Sequence, residues 1–260
     1  MKPPGTLTQL GPLARRSLMR TLRSPQLLAS GLFFPLFLYG MNIGGLEFAT
    51  SLPGFPTESY PTFALSFTFV FAGIYAVMVA GSQLGDDIRS GFIKRQTLTP
   101  LAGPVLLLGH LTGVVAFAFG QTLVFLAVGF VVGASVEAGP GGVLVILLLV
   151  AFYALAMGSV GLMFALYTRS GEAVQALFPL LTGLLLLSSV NLPRELIQVD
   201  WYQTLTTYNP LSYFVEAPRS LMVEGWEAQP LFLGVLVTGA ILVSALTQTA
   251  GSLRALSVAK

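Results

Sequence analysis

Cysteine is absent from the 260-residue sequence, and charged residues make up only 9% of it. Without cysteine the chain has no disulfide framework, no thiol nucleophile and no thiolate metal site. Soluble domains carry about 25% charged residues, so the charge content excludes an ordinary soluble domain. Hydrophobic residues reach 54%, and the mean hydropathy is +0.80. This composition is typical of a membrane protein.

Sequence motifs for nucleotide and metal chemistry are also missing. The chain contains neither the G-x-x-x-x-G-K-[ST] pattern that binds ATP phosphates nor the H-E-x-x-H pattern that binds zinc. Its one histidine, His110, has no carboxylate or second histidine nearby in sequence, and metal sites need several ligands. We therefore predict no catalytic residue, no metal site and no cofactor bound by this chain.

Charge-free runs locate the membrane segments. Six such runs are at least 21 residues long, and a helix of that length rises about 31 Å, enough for a hydrocarbon core of about 30 Å. The longest run is broken near its start by Pro100 and Pro104, which leaves one tilted span instead of two. The sequence predicts an all-α polytopic membrane protein with six transmembrane helices, at about 26–46, 61–84, 105–134, 143–166, 173–190 and 230–250.

Basic residues are distributed unevenly between the connecting segments. With the N-terminus in the cytoplasm, 11 of the 13 basic residues fall on the cytoplasmic side, and only Arg194 and Arg219 fall outside. This asymmetry is the positive-inside pattern. We expect a multi-pass protein of the cell (plasma) membrane with both termini in the cytoplasm. The net charge of +2 then reflects topology and gives no reason to expect nucleic-acid binding.

The N-terminal segment 6–25 has helical periodicity. Its apolar residues recur at helical spacing: Leu7, Leu10, Ala14, Leu18 and Leu22. Its basic residues are Arg15, Arg16, Arg20 and Arg23, and the last three lie on the opposite face. The pattern favours an amphipathic helix in the inner membrane interface, in contact with membrane lipid, over an ordinary basic flank of the first span.

A charged segment at residues 86–100 separates the second and third predicted spans. Its acidic residues precede its basic ones, an order that suits a helix dipole, and Pro100 ends the element. Ile88 and Phe92 are four residues apart and share a helix face. These features fit a short cytoplasmic helix whose start Asp87 caps. From composition alone they fit equally well a solvated loop whose charges only fix the topology.

The segment 191–229 is too polar to span the membrane and too aromatic for a mobile loop. Its aromatic residues suit the depth of the lipid headgroups. Asn209 and Pro210 read as a helix N-cap followed by proline at the first helical position. We predict an external re-entrant or interfacial segment that contains a short helix at about 210–223 at the outer interface.

Phenylalanine is abundant, with 19 residues in the chain. Five of those in the first two spans are candidates for a substrate path: Phe33, Phe34, Phe37, Phe67 and Phe71. Apolar pockets lined by such residues suit an amphipathic or lipid-like molecule. Aromatic side chains in membrane proteins more often pack between helices, so packing is the alternative role.

Two motifs resemble the type-2 ATP-binding-cassette (ABC) permeases, most closely the daunorubicin-resistance permease branch. The first is DDIRSGFIKRQTLTPLAGPVLLLGH, which matches the cytoplasmic signature of that family at Asp87, Arg89, Ser90, Gly91, Arg95, Thr99 and Pro100. The second is YNPLSYFVEAPRSLMVEG, which matches at Asn209, Pro210, Val215, Ala217, Arg219 and Leu221. Lys94 and Pro218 depart from the family pattern.

The resemblance implies a mechanism. Two six-span permease subunits, identical or different, form a pathway, and two cytoplasmic P-loop ATPase subunits that bind ATP and Mg drive export. Residues 86–100 would be the coupling helix that contacts the ATPase. The candidate coupling residues are Asp86, Asp87, Ile88, Arg89, Gly91, Phe92, Lys94, Arg95, Thr99 and Pro100. The candidate external motif consists of Asn209, Pro210, Glu216 and Arg219.

Two other function classes compete with a permease. A secondary carrier usually has ionisable residues inside its spans, and no charge lies at the centre of a predicted span here. A non-transporting membrane scaffold or assembly protein is harder to exclude, because its composition could be the same. An associated P-loop ATPase would separate the exporter from the scaffold.

The orientation can be tested with single cysteines in this cysteine-free chain. Because segments rich in basic residues stay in the cytoplasm, a cysteine at position 97 should be protected from an impermeant reagent in intact cells. A cysteine at position 206 should be labelled from outside. Labelling at position 97 together with protection at position 206 would invert the topology.

Overall fold

The computed structural model describes residues 6–92 and 103–258. Every regular element in these two ranges is helical, with 3₁₀ turns at Glu47–Ser51 and Arg194–Leu196. The helices are α1 (Thr6–Leu22), α2 (Pro25–Leu46), α3 (Tyr60–Arg89), α4 (Gly103–Val132), α5 (Gly139–Thr168), α6 (Gly171–Gln175), α7 (Leu177–Leu186), α8 (Asp200–Tyr208), α9 (Pro210–Val223) and α10 (Ala228–Val258).

Five of the described helices are long and apolar enough to cross a membrane: α2, α3, α4, α5 and α10. They lie where five of the six spans were predicted. The fifth apolar run, predicted as a span at about 173–190, contains two short helices, because α6 and α7 are separated by a turn at Ala176. Pro179 accounts for the break: it lacks the N–H that the Gln175 carbonyl would accept, and its ring crowds that carbonyl. The count of six spans stays a prediction.

Helix α3 is the centre of the bundle. All residues of its most apolar stretch are buried, whereas only 17% of the residues are buried in the corresponding stretch of α2 and in that of α10. Close approach of backbones explains how α5 and α6 reach it. A side chain at Gly161 would collide with the Val77 carbonyl, and one at Gly85 would collide with the backbone of Gly171. The neighbours of α3 therefore pack against its backbone at these points.

Helix α2 contains a proline, and the carbonyl that this proline leaves without a donor is bonded from another helix. Pro35 has no N–H for the Gly31 carbonyl, which lies four residues earlier. Gln121 of α4 donates its Nε2–H to that carbonyl over 2.8 Å. Proline is tolerated in a spanning helix when a neighbouring helix satisfies the freed group in this way. The bond also fixes the position of α2 along the axis of α4.

The short helix predicted at 210–223 is present as α9, with Asn209 as its N-cap. The Asn209 side chain accepts a hydrogen bond from the Leu211 N–H over 2.9 Å and donates to the Leu184 carbonyl over 2.6 Å. Most of α9 is buried against the rest of the protein, and its predicted depth at the outer interface stays a prediction. Phe214 stacks on Tyr153 of α5 with the ring centroids 4.5 Å apart, so α9 packs inside the protein.

The buried position of Thr206 bears on the labelling experiment above. Its side chain is fully buried at the end of α8. The exposed neighbour Thr204 is therefore the better position for a cysteine that tests the external side.

Replacing Gln121 should weaken the attachment of α2. Gln121→Leu keeps the size of the side chain but leaves the Gly31 carbonyl without its donor, and we expect a loss of about 1 kcal/mol in the free energy of unfolding. Thr122→Val is the control, because the Thr122 hydroxyl bonds only the Ala118 carbonyl of its own helix. Thermal unfolding in micelles measures both variants. Equal losses would show that the bond between the helices contributes nothing.

Candidate functional site

The end of α3 carries a buried carboxylate that joins three helices. The Asp87 side chain is only 4% exposed. Arg16 of α1 approaches it as a fork, with Nη2 2.8 Å from Oδ1 and Nη1 3.1 Å from Oδ2. Arg20 of α1 places Nη1 3.2 Å from Oδ1, and His110 of α4 places Nε2 3.2 Å from Oδ2. Asp87 is thus held by two helices besides its own.

A second set of polar contacts lies one helical turn before Asp87 along α3. Ser17 donates its hydroxyl to Oε1 of Gln83 over 2.9 Å, and Gln83 donates its Nε2–H to the Thr21 hydroxyl over 2.9 Å. All three side chains are buried. Gly113 of α4 makes this close approach sterically feasible, because any side chain there would collide with Ser17. Helix α1 is therefore docked on α3 and α4 through polar residues.

The predicted polar face of α1, with Arg16, Arg20 and Arg23, does not meet a single environment. Arg16 and Arg20 turn toward the carboxylates of α3, whereas Arg15 and Arg23 are exposed. The apolar face also differs, since Leu22 is 46% exposed. The interaction of two arginines with a buried carboxylate is stronger than the free-energy gain from placing one leucine side chain in lipid. This explains why Arg16 and Arg20 face α3 while Leu22 is exposed.

The exposed charges around this site form weaker pairs. Arg20 contacts Asp86 over 2.7 Å, and Arg89 contacts Glu172 of α6 over 2.9 Å. These side chains are between 36% and 78% exposed, and ion pairs in water contribute only about 0–1 kcal/mol. They extend the contacts of the α3 end from α1 on one side to α6 on the other.

The predicted start of the coupling helix is wrong. Asp86, Asp87, Ile88 and Arg89 form the last turn of α3, so Asp87 caps no separate helix. The chain leaves α3 through Gly91, whose φ of +69° lies in the left-handed region that suits glycine. Phe92 follows, with the Arg16 guanidinium carbon 4.0 Å from its ring centroid. The remaining predicted coupling residues lie outside the described residues: Lys94, Arg95, Thr99 and Pro100.

Arg219 of the external motif is buried at the other end of α3. Its two Nη groups donate to the carbonyls of Ser189 and Val190, each over 2.7 Å. Its Nε donates to Ser66 of α3 over 3.1 Å, and its guanidinium lies 3.7 Å from the centroid of Phe63. Arg219 therefore holds the chain that follows α7 against the N-terminal part of α3.

Glu216 holds the segment just before α8. Its Oε1 accepts from Nε of Arg194 over 2.6 Å and from the Ser189 hydroxyl over 2.5 Å. Burial lowers the pKa of Arg194, but Glu216 and Tyr213 outweigh that effect, and the net pKa is raised above its ordinary value. Arg194 therefore stays a cation beside Glu216.

The five candidate substrate-path phenylalanines do not share one environment. Phe33 and Phe37 are exposed and stacked on each other, with their centroids 5.8 Å apart. Phe67 and Phe71 are buried. Phe34 connects the two groups by packing against Phe71 and against Phe178 of α7, over 5.6 and 5.9 Å. Phe67 and Phe71 contribute packing here, Phe34 is partly buried, and Phe33 and Phe37 are accessible from outside the bundle.

Sequence reasoning missed the polar residues that surround Asp87. His110 has no carboxylate nearby in sequence, but the fold brings it to Asp87 from 23 residues away. Gln83 gave a usable signal, because it is a long polar side chain in a charge-free span and lies one helical turn before Asp87. Ser17 and Thr21 gave none, since small hydroxyl residues are common on amphipathic helices.

The two neighbouring aspartates allow a matched comparison. Asp87→Asn leaves Arg16 and Arg20 without their buried carboxylate, and we expect a loss of about 2–3 kcal/mol in the free energy of unfolding. This is below the range for fully buried pairs, because both arginines can reach water. Asp86→Asn removes a half-exposed pair and should cost less than about 1 kcal/mol. Thermal unfolding and protease cleavage between α1 and α2 measure both; equal sensitivity would refute the central role of Asp87.

Comparisons with known proteins match the part of the chain that contains the residues described above. Residues 8–223 match the family described as ABC-2 type transporter. The chain is also 25% identical over 219 residues to the "Putative transport permease ycf38" of Pyropia yezoensis, which covers 83% of this chain and 74% of that relative. The family match spans most of the chain, from α1 to the end of α9. The protein is therefore a multi-pass membrane protein that belongs to the ABC-2 type transporter family of permeases.

Proposed function

We propose that this chain is the membrane-spanning subunit of an ABC exporter, which moves an amphipathic or lipid-like substrate outward with ATP hydrolysed by a separate subunit. Membership of the ABC-2 family is the observation that carries the proposal. ATP and Mg bind in the cytoplasmic P-loop ATPase partner, in keeping with the lack of the P-loop motif in this chain. Both termini and residues 86–100 lie in the cytoplasm, and the fifth apolar segment completes six passes through the plasma membrane.

The end of α3 is the proposed point of contact with the ATPase. Gly91 and Phe92 continue directly from α3, the helix that is buried at the centre of the bundle. A push on this end reaches α1 and α4 through Asp87, and reaches α6 through Glu172. The contacts of the α3 end therefore support a coupling role for 86–100 better than the role of a loop that only fixes topology.

The substrate class is proposed from the surface of α2. This helix is only lightly packed against the rest of the chain and exposes Phe33 and Phe37 on its outer side. An apolar, aromatic surface of this kind suits a molecule with a large apolar part. A second permease subunit, identical or different, would face the same side, so the pathway would lie between the two copies.

The test uses the purified chain with and without its ATPase subunit. We expect no ATP hydrolysis by the chain alone and substrate-stimulated hydrolysis by the complex. Phe92→Ala should lower both stimulation and co-purification, because truncating a buried aromatic residue at an interface commonly costs about 2 kcal/mol or more, roughly 30-fold in binding. Phe48→Ala is the control, since Phe48 is an exposed phenylalanine at the opposite end of the bundle.

Two results would contradict the proposal. ATP hydrolysis by the purified chain alone would place the nucleotide site in this subunit. Normal stimulation and normal co-purification in Phe92→Ala would leave residues 86–100 as a topology signal. If no ATPase subunit co-purified with the unmodified chain, a membrane scaffold would become the better explanation.

A further inference from the structure

The four arginines of α1 fall into two groups that face different surroundings. Arg16 and Arg20 contact the carboxylates of α3. Arg15 and Arg23 are exposed, and no ion pair involves either of them in the described part of the chain. Ser17 and Thr21 mark the docked side of α1, and Arg15 lies on the other side of the helix. Arg23 directly follows the last helical residue, Leu22, and its N–H still bonds the Met19 carbonyl over 3.0 Å.

Two apolar residues lie between the exposed arginines. Met19 and Leu22 are 36% and 46% exposed, and with Arg15 and Arg23 they occupy positions i, i+4, i+7 and i+8 of the helix. Residues at this spacing share one face. We call these four residues the outer face of α1. It combines two cations without internal partners and two side chains that gain by leaving water.

The outer face lies at the level where the membrane begins. Helix α2, the first of the helices apolar enough to span, starts at Pro25, two residues after Arg23. The acidic residues nearest to α1 in the fold, Asp86 and Asp87, are already engaged by Arg16 and Arg20. The outer face therefore presents uncompensated positive charge beside the hydrocarbon boundary.

We infer that the outer face of α1 binds anionic phospholipid headgroups of the inner leaflet through Arg15 and Arg23. Met19 and Leu22 enter the boundary between headgroups and acyl chains, which a free phosphate could not offer them. Each basic residue near an anionic surface contributes about a fivefold gain in affinity. The same helix that is tied to α3 by Arg16 and Arg20 is thereby tied to the membrane surface on its other side.

The test measures which lipids gather beside α1 in the full chain. Gln26→Cys, an exposed position in the otherwise cysteine-free chain, carries a fluorescent donor. Nanodiscs of phosphatidylcholine are prepared in two forms. One contains a trace of phosphatidylglycerol with an acceptor dye on its acyl chain, and the other contains a trace of phosphatidylcholine with the same dye on its acyl chain. We expect more energy transfer to the phosphatidylglycerol, and we expect raised salt to reduce the difference.

Variants separate this inference from other roles of α1. Arg15→Gln with Arg23→Gln should lower the preference for phosphatidylglycerol by about 25-fold, toward equality with phosphatidylcholine, whereas Arg15→Lys with Arg23→Lys should retain most of it. Arg169→Gln removes an exposed arginine far from α1 in sequence and should change nothing. The readout needs no ATP and no ATPase subunit, so the result does not depend on whether the proposed transport function is correct.

Three outcomes would overturn the inference. Equal energy transfer to the two lipids in the unmodified chain would show that the outer face has no preference for anionic headgroups. A preference that persists in the double glutamine variant would place the lipid site elsewhere. If that variant instead lost its ATPase subunit, the outer face would be a protein-docking surface.

Discussion

A carboxylate that is buried at the end of a membrane-spanning helix must be surrounded by cations and hydrogen-bond donors, because the cost of removing it from water is several kcal/mol. Asp87 meets this requirement with Arg16, Arg20 and His110, which belong to two other helices. The position of α1 follows from it: the helix must lie where two of its arginines reach Asp87. Gly113 then provides the space for Ser17.

The N-terminal end of α3 obeys the same constraint with the opposite charge. Arg219 is buried, and carbonyl groups, a hydroxyl and an aromatic ring replace its water. α3 is thus tied at one end to α1 and α4 and at the other to α9 and the chain after α7. A helix held by buried charged groups near both ends transmits a displacement along its length with little bending, as the proposed coupling to an ATPase subunit would require.

The lengths of the charge-free runs were enough to predict five helices, and the Asn209-Pro210 pair was enough to predict the start of α9. The fifth apolar run forms two short helices, α6 and α7, because Pro179 interrupts the backbone hydrogen bonds there, and run length alone does not show where such a break falls. The ion pairs at Asp87 could not be read from periodicity, since Arg16 lies 71 residues away. Periodicity shows which residues share a face of one helix, but the partner of that face depends on packing between helices. For this reason Arg16 and Arg23 looked alike in the sequence and differ in the fold.

The central claim is that α1 and the end of α3 move as one rigid unit when the ATPase acts. Pulsed electron paramagnetic resonance tests it with spin labels on Met19→Cys and Arg89→Cys, two exposed positions on the two helices. In the assembled complex the distance between the labels should be the same without nucleotide and with ATP and Mg. A distance that shifts when nucleotide is added, in a complex that remains intact, would show that α1 and α3 move separately and would contradict the account.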